Sequence, residues 1–313
     1  MYNFTDKRKA SFCRSVLGHS ASSLVFVDVG AGGSLKHPWI LLPAGKLEKV
    51  DFEPEGSTQA GDLPLCISNE SGEKPFYIAR DPRASSLHEA DPAFVDWFGQ
   101  DGMLAARAIK VRCATLDEYF SGQYERLDFL DINVEGHDFQ VLQGSERLFQ
   151  SAFIKAVKIE FELAAAWQGQ GWFGDIDAWM KRHGFELMDI SVDRIRPACV
   201  RHLYHPGEPV WGKAFYVPGR GAWEQRKNSV DPKTLTDDVL KAVVLWTILD
   251  APGRAVELLK VLSPGVLPID PVLLQREIAK VFRRAFVDAV TGRAGYIARR
   301  LVERYLVRQN KKS

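Results

Sequence analysis

The sequence predicts an α/β fold: a doubly wound, mostly parallel sheet with a C-terminal α-helical extension. Three segments predict it. They are Val25-Phe26-Val27-Asp28-Val29-Gly30-Ala31-Gly32-Gly33, Val50-Asp51-Phe52-Glu53-Pro54, and Leu127-Asp128-Phe129-Leu130-Asp131-Ile132-Asn133-Val134-Glu135-Gly136. Each reads as an apolar strand buried on both faces that ends in a polar or glycine-rich turn, the pattern of a parallel sheet covered by helices.

Along the chain, residues 1–23 read as a helical leader. Leu24 to Gly30 is the first strand and Lys49 to Glu53 the second, and Pro38 and Pro43 keep the connection from being one long helix. Leu63 to Ile67 reads as a third strand, and the polar cluster Ser68-Asn69-Glu70-Ser71-Gly72 as a turn. Phe76 to Ile78 is a short extra strand, and Asp91 to Ala106 is moderately helical. Thr115 suits the N-cap of a helix over Leu116 to Phe120, because its hydroxyl accepts from an open first-turn amide. Leu127 to Ile132 is the fourth strand, followed by a helix from Asp138 to Phe149. Ile154 to Phe161 is the fifth strand, and Phe173 to His183 a helix stopped by Gly184. Phe185 to Val192 and Lys213 to Val217 read as an antiparallel pair at one sheet edge.

After Pro218 the texture changes. Gly219, Gly221 and Pro232 read as a linker, and helical patterns cover Val239 to Leu249, Arg254 to Leu262, Pro271 to Val290 and Ala294 to Val307. The expected organisation is a leader (1–23), an α/β domain (24–220) and a basic helical extension (221–313). The basic character is local. Residues 271–313 hold 11 Lys/Arg against 3 Asp/Glu, although the whole chain carries only +1. Basic amphipathic helices can cover the core with their apolar side, lie on an anionic membrane, or dock on a protein partner. The first is the expectation for Arg283, Arg284, Arg293, Arg299, Arg300, Arg304 and Arg308. No base-stacking motif accompanies them, so no nucleic acid is expected as a partner.

With 313 residues, 46% of them apolar, the chain can build a full core. The four cysteines, Cys13, Cys66, Cys113 and Cys199, are widely spaced with no C-x-x-C pair, which suits reduced thiols and gives no zinc spacing. The polar start of the chain and the absence of a long apolar run lead to the expectation of a cytoplasmic protein.

The turn after the first strand can hold a pyrophosphate, a nucleoside triphosphate, or the amino-acid part of S-adenosylmethionine. A dinucleotide fingerprint starting at Gly30 would need a small residue where Leu35 stands. Gly45-Lys46 and Gly212-Lys213 are followed by Leu47 and Ala214, so no P-loop is present. Elimination favours S-adenosylmethionine over NAD or ATP. Candidate contacts are Asp28, Gly30, Ala31, Gly32, Asn69 and Asn133. Glu53 joins them as the acceptor for two ribose hydroxyls, since a carboxylate offers two oxygens.

The same segments resemble the FkbM-type family of S-adenosylmethionine-dependent methyltransferases. The resemblance runs through Val27-Asp28-Val29-Gly30-Ala31, Phe52-Glu53-Pro54, Ala84-Ser85-Ser86-Leu87, Thr115-Leu116-Asp117, Asp128 to Gly136, Val141-Leu142-Gln143-Gly144, Glu160-Phe161-Glu162 and Gln168 to Asp177. It covers about 25–217. It implies a class I methyltransferase (Rossmann-like) fold and O-methylation, typically of sugar or polyketide hydroxyls. The fourth strand departs from the family's usual Lys-Ile-Asp, with Asp131 in place of the lysine and Asn133 in place of the aspartate. An amide cannot act as a base, nor can it pair in charge with the cofactor's ammonium.

Methyl transfer to an alcohol needs alignment and a base within reach. His137 is the first candidate, because imidazole titrates near neutrality. Glu135, Asp138 or Asp131 could orient it or serve instead. His137 has a plain alternative as an exposed first-turn residue of the following helix, and Glu135 and Asp138 as helix N-terminal charges complementing its dipole. No metal is assigned, although Asp131, Asn133 and Asp138 would be the oxygen ligands of a magnesium variant. Trp167, Gln168 and Gln170 suit a sugar ring, with core packing as the alternative for the tryptophan. The expected function is S-adenosylmethionine-dependent O-methyl transfer to a hydroxyl of a saccharide or of a nucleotide- or lipid-linked glycan. The alternative is a degenerate cofactor-binding module that acts through its basic helices.

Overall fold

In the computed structural model, residues 4–30, 35–54, 64–122, 127–200, 202–204, 206–261 and 270–282 are described. The three apolar runs pair side by side. Strand β1 (Leu24–Val29) lies between β2 (Leu47–Phe52) and β6 (Phe129–Ile132), parallel to both. Strand β7 (Ala156–Glu162) continues the parallel set beside β6. Strands β9 (Glu208–Pro218) and β8 (Phe185–Ile195) complete the edge antiparallel, so the order is β2-β1-β6-β7-β9-β8. The chain leaves β1 toward β2 and later returns to β6 on the other side. Strand order therefore reverses between β1 and β6, and the crevice beyond their carboxyl ends is where such sheets bind ligands.

Strand alternation sends Val27, Val29, Leu130, Ile132, Val157 and Ile159 to one face. There they meet α3 (Leu116–Tyr119), α4 (Asp138–Gln143), α5 (Glu146–Ser151) and α6 (Phe173–Arg182) through Leu116, Val141, Leu142, Leu148, Ile176 and Trp179. Leu24, Phe26, Phe129, Ala156 and Val217 face the other way. They pack on α1 (Phe4–Leu17) and on α8 (Pro232–Ile248), whose residues from Asp238 to Ile248 are buried all round. Helices α9 (Pro252–Val261) and α10 (Pro271–Phe282) stack outside α8 in the same core cluster.

Several elements differ from expectation. The third strand is reduced to β3 (Cys66–Ile67) and lies outside the main sheet, parallel to β5 (Ala105–Ala114) in a three-stranded sheet. β4 (Gly72–Ala79) pairs antiparallel on the other side of β5. The alanines at the start of β5 favour a helix, but the alternation Ile109, Val111, Cys113 against Lys110 and Arg112 fits a half-buried strand. Of the helix expected to reach Ala106, α2 (Pro92–Phe98) forms, closed by Gly99, and one 3-10 turn follows at Asp101–Met103. The helix expected from Asp138 to Phe149 is broken into α4 and α5, because the buried carboxylate of Asp117 takes the amides of Arg147 and Leu148 at 2.9 and 2.7 Å and starts a new helix there. The expected linker after Pro218 is α7 (Arg220–Ser229), held by Trp223 against Phe153 and Trp246. The helix expected from Ala294 to Val307, and the tail arginines from Arg283 on, lie outside the described residues.

Candidate active site

The ends of three strands are stitched together at the switch point. Gly30 N–H donates to the Phe52 carbonyl at 3.0 Å, and Asn133 N–H donates to the Val29 carbonyl at 3.0 Å. Gly30 has φ +84, and a Cβ there would stand 2.0 Å from the Asn133 carbonyl oxygen, so only glycine lets β1 end against β6. A cleft of about 510 Å³ opens above this seam. Its lining includes Gly30, Glu53, Asn133, Glu135, Leu87 and His137.

The floor of the cleft is the turn from Asn133 to Asp138. Glu135 holds φ +54, a left-handed conformation that a side chain adopts at a cost of order 1–3 kcal/mol. Three contacts fix it. The Asp138 carboxylate accepts from Val134 N–H at 3.3 Å and from Gly136 N–H at 3.2 Å. Ser86 Oγ donates to the Glu135 carbonyl at 2.6 Å. The Trp167 indole fills the space where a Cβ on Gly136 would lie, 2.4 Å from its Cδ1. Residues 85–90 thus act as a strap, bonded to Tyr77 on one side and to Gln168 on the other.

His137 sits inside this frame. Its Nε2 is 2.9 Å from Ser68 Oγ and its Nδ1 is 2.9 Å from His88 Nε2, so both ring nitrogens are engaged. Burial, followed by the neighbouring His88 and Lys74, pushes its pKa down to about 3. The ring is neutral at physiological pH and serves as a connector between turn, strap and β3.

Residues 39–187 match the family model for the Methyltransferase FkbM domain. This stretch, just under half of the chain, is similar to the FkbM methyltransferase domain. The cofactor of this family is S-adenosylmethionine, and the family's activity is methyl transfer. Solved structures similar to the chain include magnesium protoporphyrin IX methyltransferase from Synechocystis PCC 6803 with bound SAM, at 14% identity over 70% of this chain and 86% of that one, TM-score 0.28. The tRNA methyltransferase TrmK of B. subtilis is 11% identical over 89% of this chain and 94% of that one, TM-score 0.25. No curated protein matches the chain.

The FkbM cleft fits an adenosyl cofactor on its own residues. Asn133 Oδ1 is buried without a hydrogen-bond partner, an acceptor left open on the cleft wall. Glu53 directly follows β2 and lines the same cleft, and its carboxylate has two acceptor oxygens. Ala31 and Gly32 lie outside the described residues.

Behind Glu135, carboxyl groups from the ends of β6 and β7 gather in the FkbM core. Burial, followed by the charges of Glu160 and Asp138, pushes Glu135 up to about 8. Burial likewise raises Glu160 to about 7 and Glu162 to about 10, and holds Asp138 well above the usual carboxylate range. Lys213, 4.0 Å from Glu160, and Lys158 are cations that oppose this rise at Glu160. Among the described residues no group of three or more His, Cys, Asp or Glu is placed to hold a metal ion.

The other residues singled out from sequence fall elsewhere in the FkbM domain. Asp28 and Asp131 face each other across β1 and β6 on the helix-α8 side of the sheet and do not line the cleft. Lys49 lies 3.1 Å from Asp28, and Lys158 grips both Asp131 oxygens at 3.0 and 2.7 Å. Asn69 is exposed in the turn after β3, with its Oδ1 accepting from Ser68 Oγ at 3.1 Å and Lys74 Nζ at 3.3 Å. Trp167 is buried against Gly136. Gln170 braces its own loop, accepting from Trp167 N–H at 2.7 Å and donating to the Ala164 carbonyl at 2.9 Å, and Gln168 is exposed. Ser68, Ser86 and His88 carry the geometry without having been singled out. Only Ser86, inside Ala84-Ser85-Ser86-Leu87, was touched by the family resemblance, and nothing local marks a serine that bonds a carbonyl 49 positions away.

Proposed function

We propose that the chain is an S-adenosylmethionine-dependent O-methyltransferase whose acceptor is a hydroxyl of a saccharide, or of a nucleotide- or lipid-linked glycan. The observation that carries the reading is one cleft in which the cofactor acceptors, Glu53 and Asn133, lie beside a half-buried carboxyl, Glu135, on a fixed turn. When bound, S-adenosylmethionine supplies a methyl group made electrophilic by its sulfonium sulfur. Glu53 accepts from the ribose hydroxyls, and the open oxygen of Asn133 accepts one further hydrogen bond. Glu135 takes the acceptor's proton. Its raised pKa of about 8 makes it a stronger base than an ordinary carboxylate once ionised. The strap and Asp138 hold it in place, so alignment costs no reorganisation at the moment of reaction. The lining mixes apolar Phe76 and Leu87 with polar Ser85 and Arg83, which suits a sugar's CH faces and hydroxyls.

The test is calorimetry with S-adenosylmethionine, S-adenosylhomocysteine and NAD, then a screen of glycan acceptors for S-adenosylhomocysteine formation. Binding of the two adenosyl compounds but not NAD, followed by turnover on a hydroxyl acceptor, is expected. Glu53→Ala should weaken adenosyl binding at least about tenfold, or 1.4 kcal/mol. Turnover on amines but not on hydroxyls would overturn the O-methyl assignment. No adenosyl binding at all would leave the interaction-module reading in its place.

A further inference from the structure

Cys66 and Cys113 are far apart in the sequence, yet β3 and β5 pair in parallel with these two residues directly opposite each other. Both are buried, at 6% and 2% exposure, in one small cluster with Phe76 and Val111. Neighbouring strands lie about 4.7–4.9 Å apart, and disulfides join Cα atoms about 4.4–6.8 Å apart, so the register places the two backbones within the span of a disulfide. Cys66 also lines the cleft, which gives a small oxidant a way in.

We propose that Cys66 and Cys113 are a reversible disulfide site in the wall of the cofactor cleft, oxidised by a small peroxide. The two thiols are hydrogen-bonded to each other. That bond, together with burial, pushes the Cys66 thiol up, and the same bond lowers Cys113, which is the more acidic thiol of the pair and the one that more readily supplies the attacking thiolate. The Cys113 thiolate attacks one oxygen of hydrogen peroxide, breaking the O–O bond to give a sulfenic acid and hydroxide. The hydroxide takes a proton to become water. Cys66 sulfur then displaces the sulfenic hydroxyl and gives up its proton, forming the S–S bond and a second water. The two sulfurs lose two electrons and one peroxide is reduced to two waters. The closed bond would fix β3 two residues before Ser68, the partner of His137, and so stiffen the cleft wall.

The experiment treats the full chain with hydrogen peroxide, blocks remaining thiols, and maps peptides by mass spectrometry. A linked peptide holding Cys66 and Cys113 is expected. It should be reversed by dithiothreitol and absent from Cys113→Ser and from Cys66→Ser. Exposed Cys199 is the internal control. Free Cys66 and Cys113 at peroxide doses that oxidise Cys199 would overturn the proposal. Calorimetry on both forms tests the effect on the cleft, which rests on the cofactor reading above; the linked peptide does not. The oxidised chain should bind S-adenosylhomocysteine at least about fivefold more weakly than the reduced chain. Equal affinity in the two forms would overturn any effect on the cleft.

Discussion

Glu135 has two separable properties, a proton that leaves near pH 8 and a backbone that must stay left-handed. As the base it must be ionised, so kcat/KM should rise with pH and level off above about 8. Glu135→Gln keeps the shape and removes the proton acceptor. Turnover should fall about 10²–10⁴-fold with cofactor affinity unchanged. A variant that retains turnover and the same pH profile would remove Glu135 from the chemistry. The neighbouring carboxyls make a stability prediction with a definite sign. Glu135, Glu160 and Glu162 all have folded pKa values above their unfolded ones, so the folded state holds protons that the unfolded state has lost. Their contribution is complete below the unfolded value and is lost as pH rises through about 7, 8 and 10 in turn. Chemical denaturation should show lower stability at pH 9 than at pH 6 by more than about 1 kcal/mol. Glu162→Gln should recover part of that loss. Equal stability at the two pH values would refute the buried cluster.

At the scale of elements, the site depends on how strands end. The seam of β1, β2 and β6 requires the closest backbone approach in the cleft, at Gly30. Gly30→Ala should cost at least about 2 kcal/mol of stability and should also weaken adenosyl binding, because the added carbon pushes β1 away from Asn133. A denaturation midpoint and affinity both equal to those of the parent would show that the seam can open without cost. The strap and the paired helices α4 and α5 follow the same logic. Each is fixed by a polar group from a distant segment, Ser86 for the turn and Asp117 for the start of α5. That is why a helix pattern running unbroken through Asp138 to Phe149 gives two helices.

For the whole molecule, the controlling fact is that α8 is an interior helix. Beneath it lies a buried ionic chain. Asp128 meets Lys155 at 2.9 Å and Lys241 at 3.1 Å, and Asp238 meets Lys155 at 2.7 Å and Arg226 at 2.8 Å. Losing one side of such a network leaves charges buried without partners, at a cost of about 3–5 kcal/mol. Truncation after Pro232 would also uncover Phe26, Phe129 and Ala156. The truncated chain should be insoluble or unfolded, and Trp246→Ala in the full chain should cost about 3–5 kcal/mol. A soluble, cooperatively folding truncation would show instead that residues beyond 232 form a separate module. Among the described residues no helix is long and apolar enough to cross a membrane.

The sequence by itself determined the strand nucleus of the sheet, the glycine turn, the Glu53 strand end, the Thr115 cap and the FkbM resemblance. All of these are written in local periodicity or in short contiguous motifs, where neighbouring residues share one strand or one turn. Thr115 Oγ1 does accept from Glu118 N–H at 2.9 Å. Tertiary structure decided the rest. It turned Trp167 and Gln170 from a sugar platform into packing and bracing, because Gly136 leaves a hole that an indole fills. It locked His137 between Ser68 and His88 and turned Glu135 into the cleft, choices made by segments 49–69 residues away. It also made α8 part of the core. An apolar pattern fixes which side of a helix seeks burial, but not what it will be buried against.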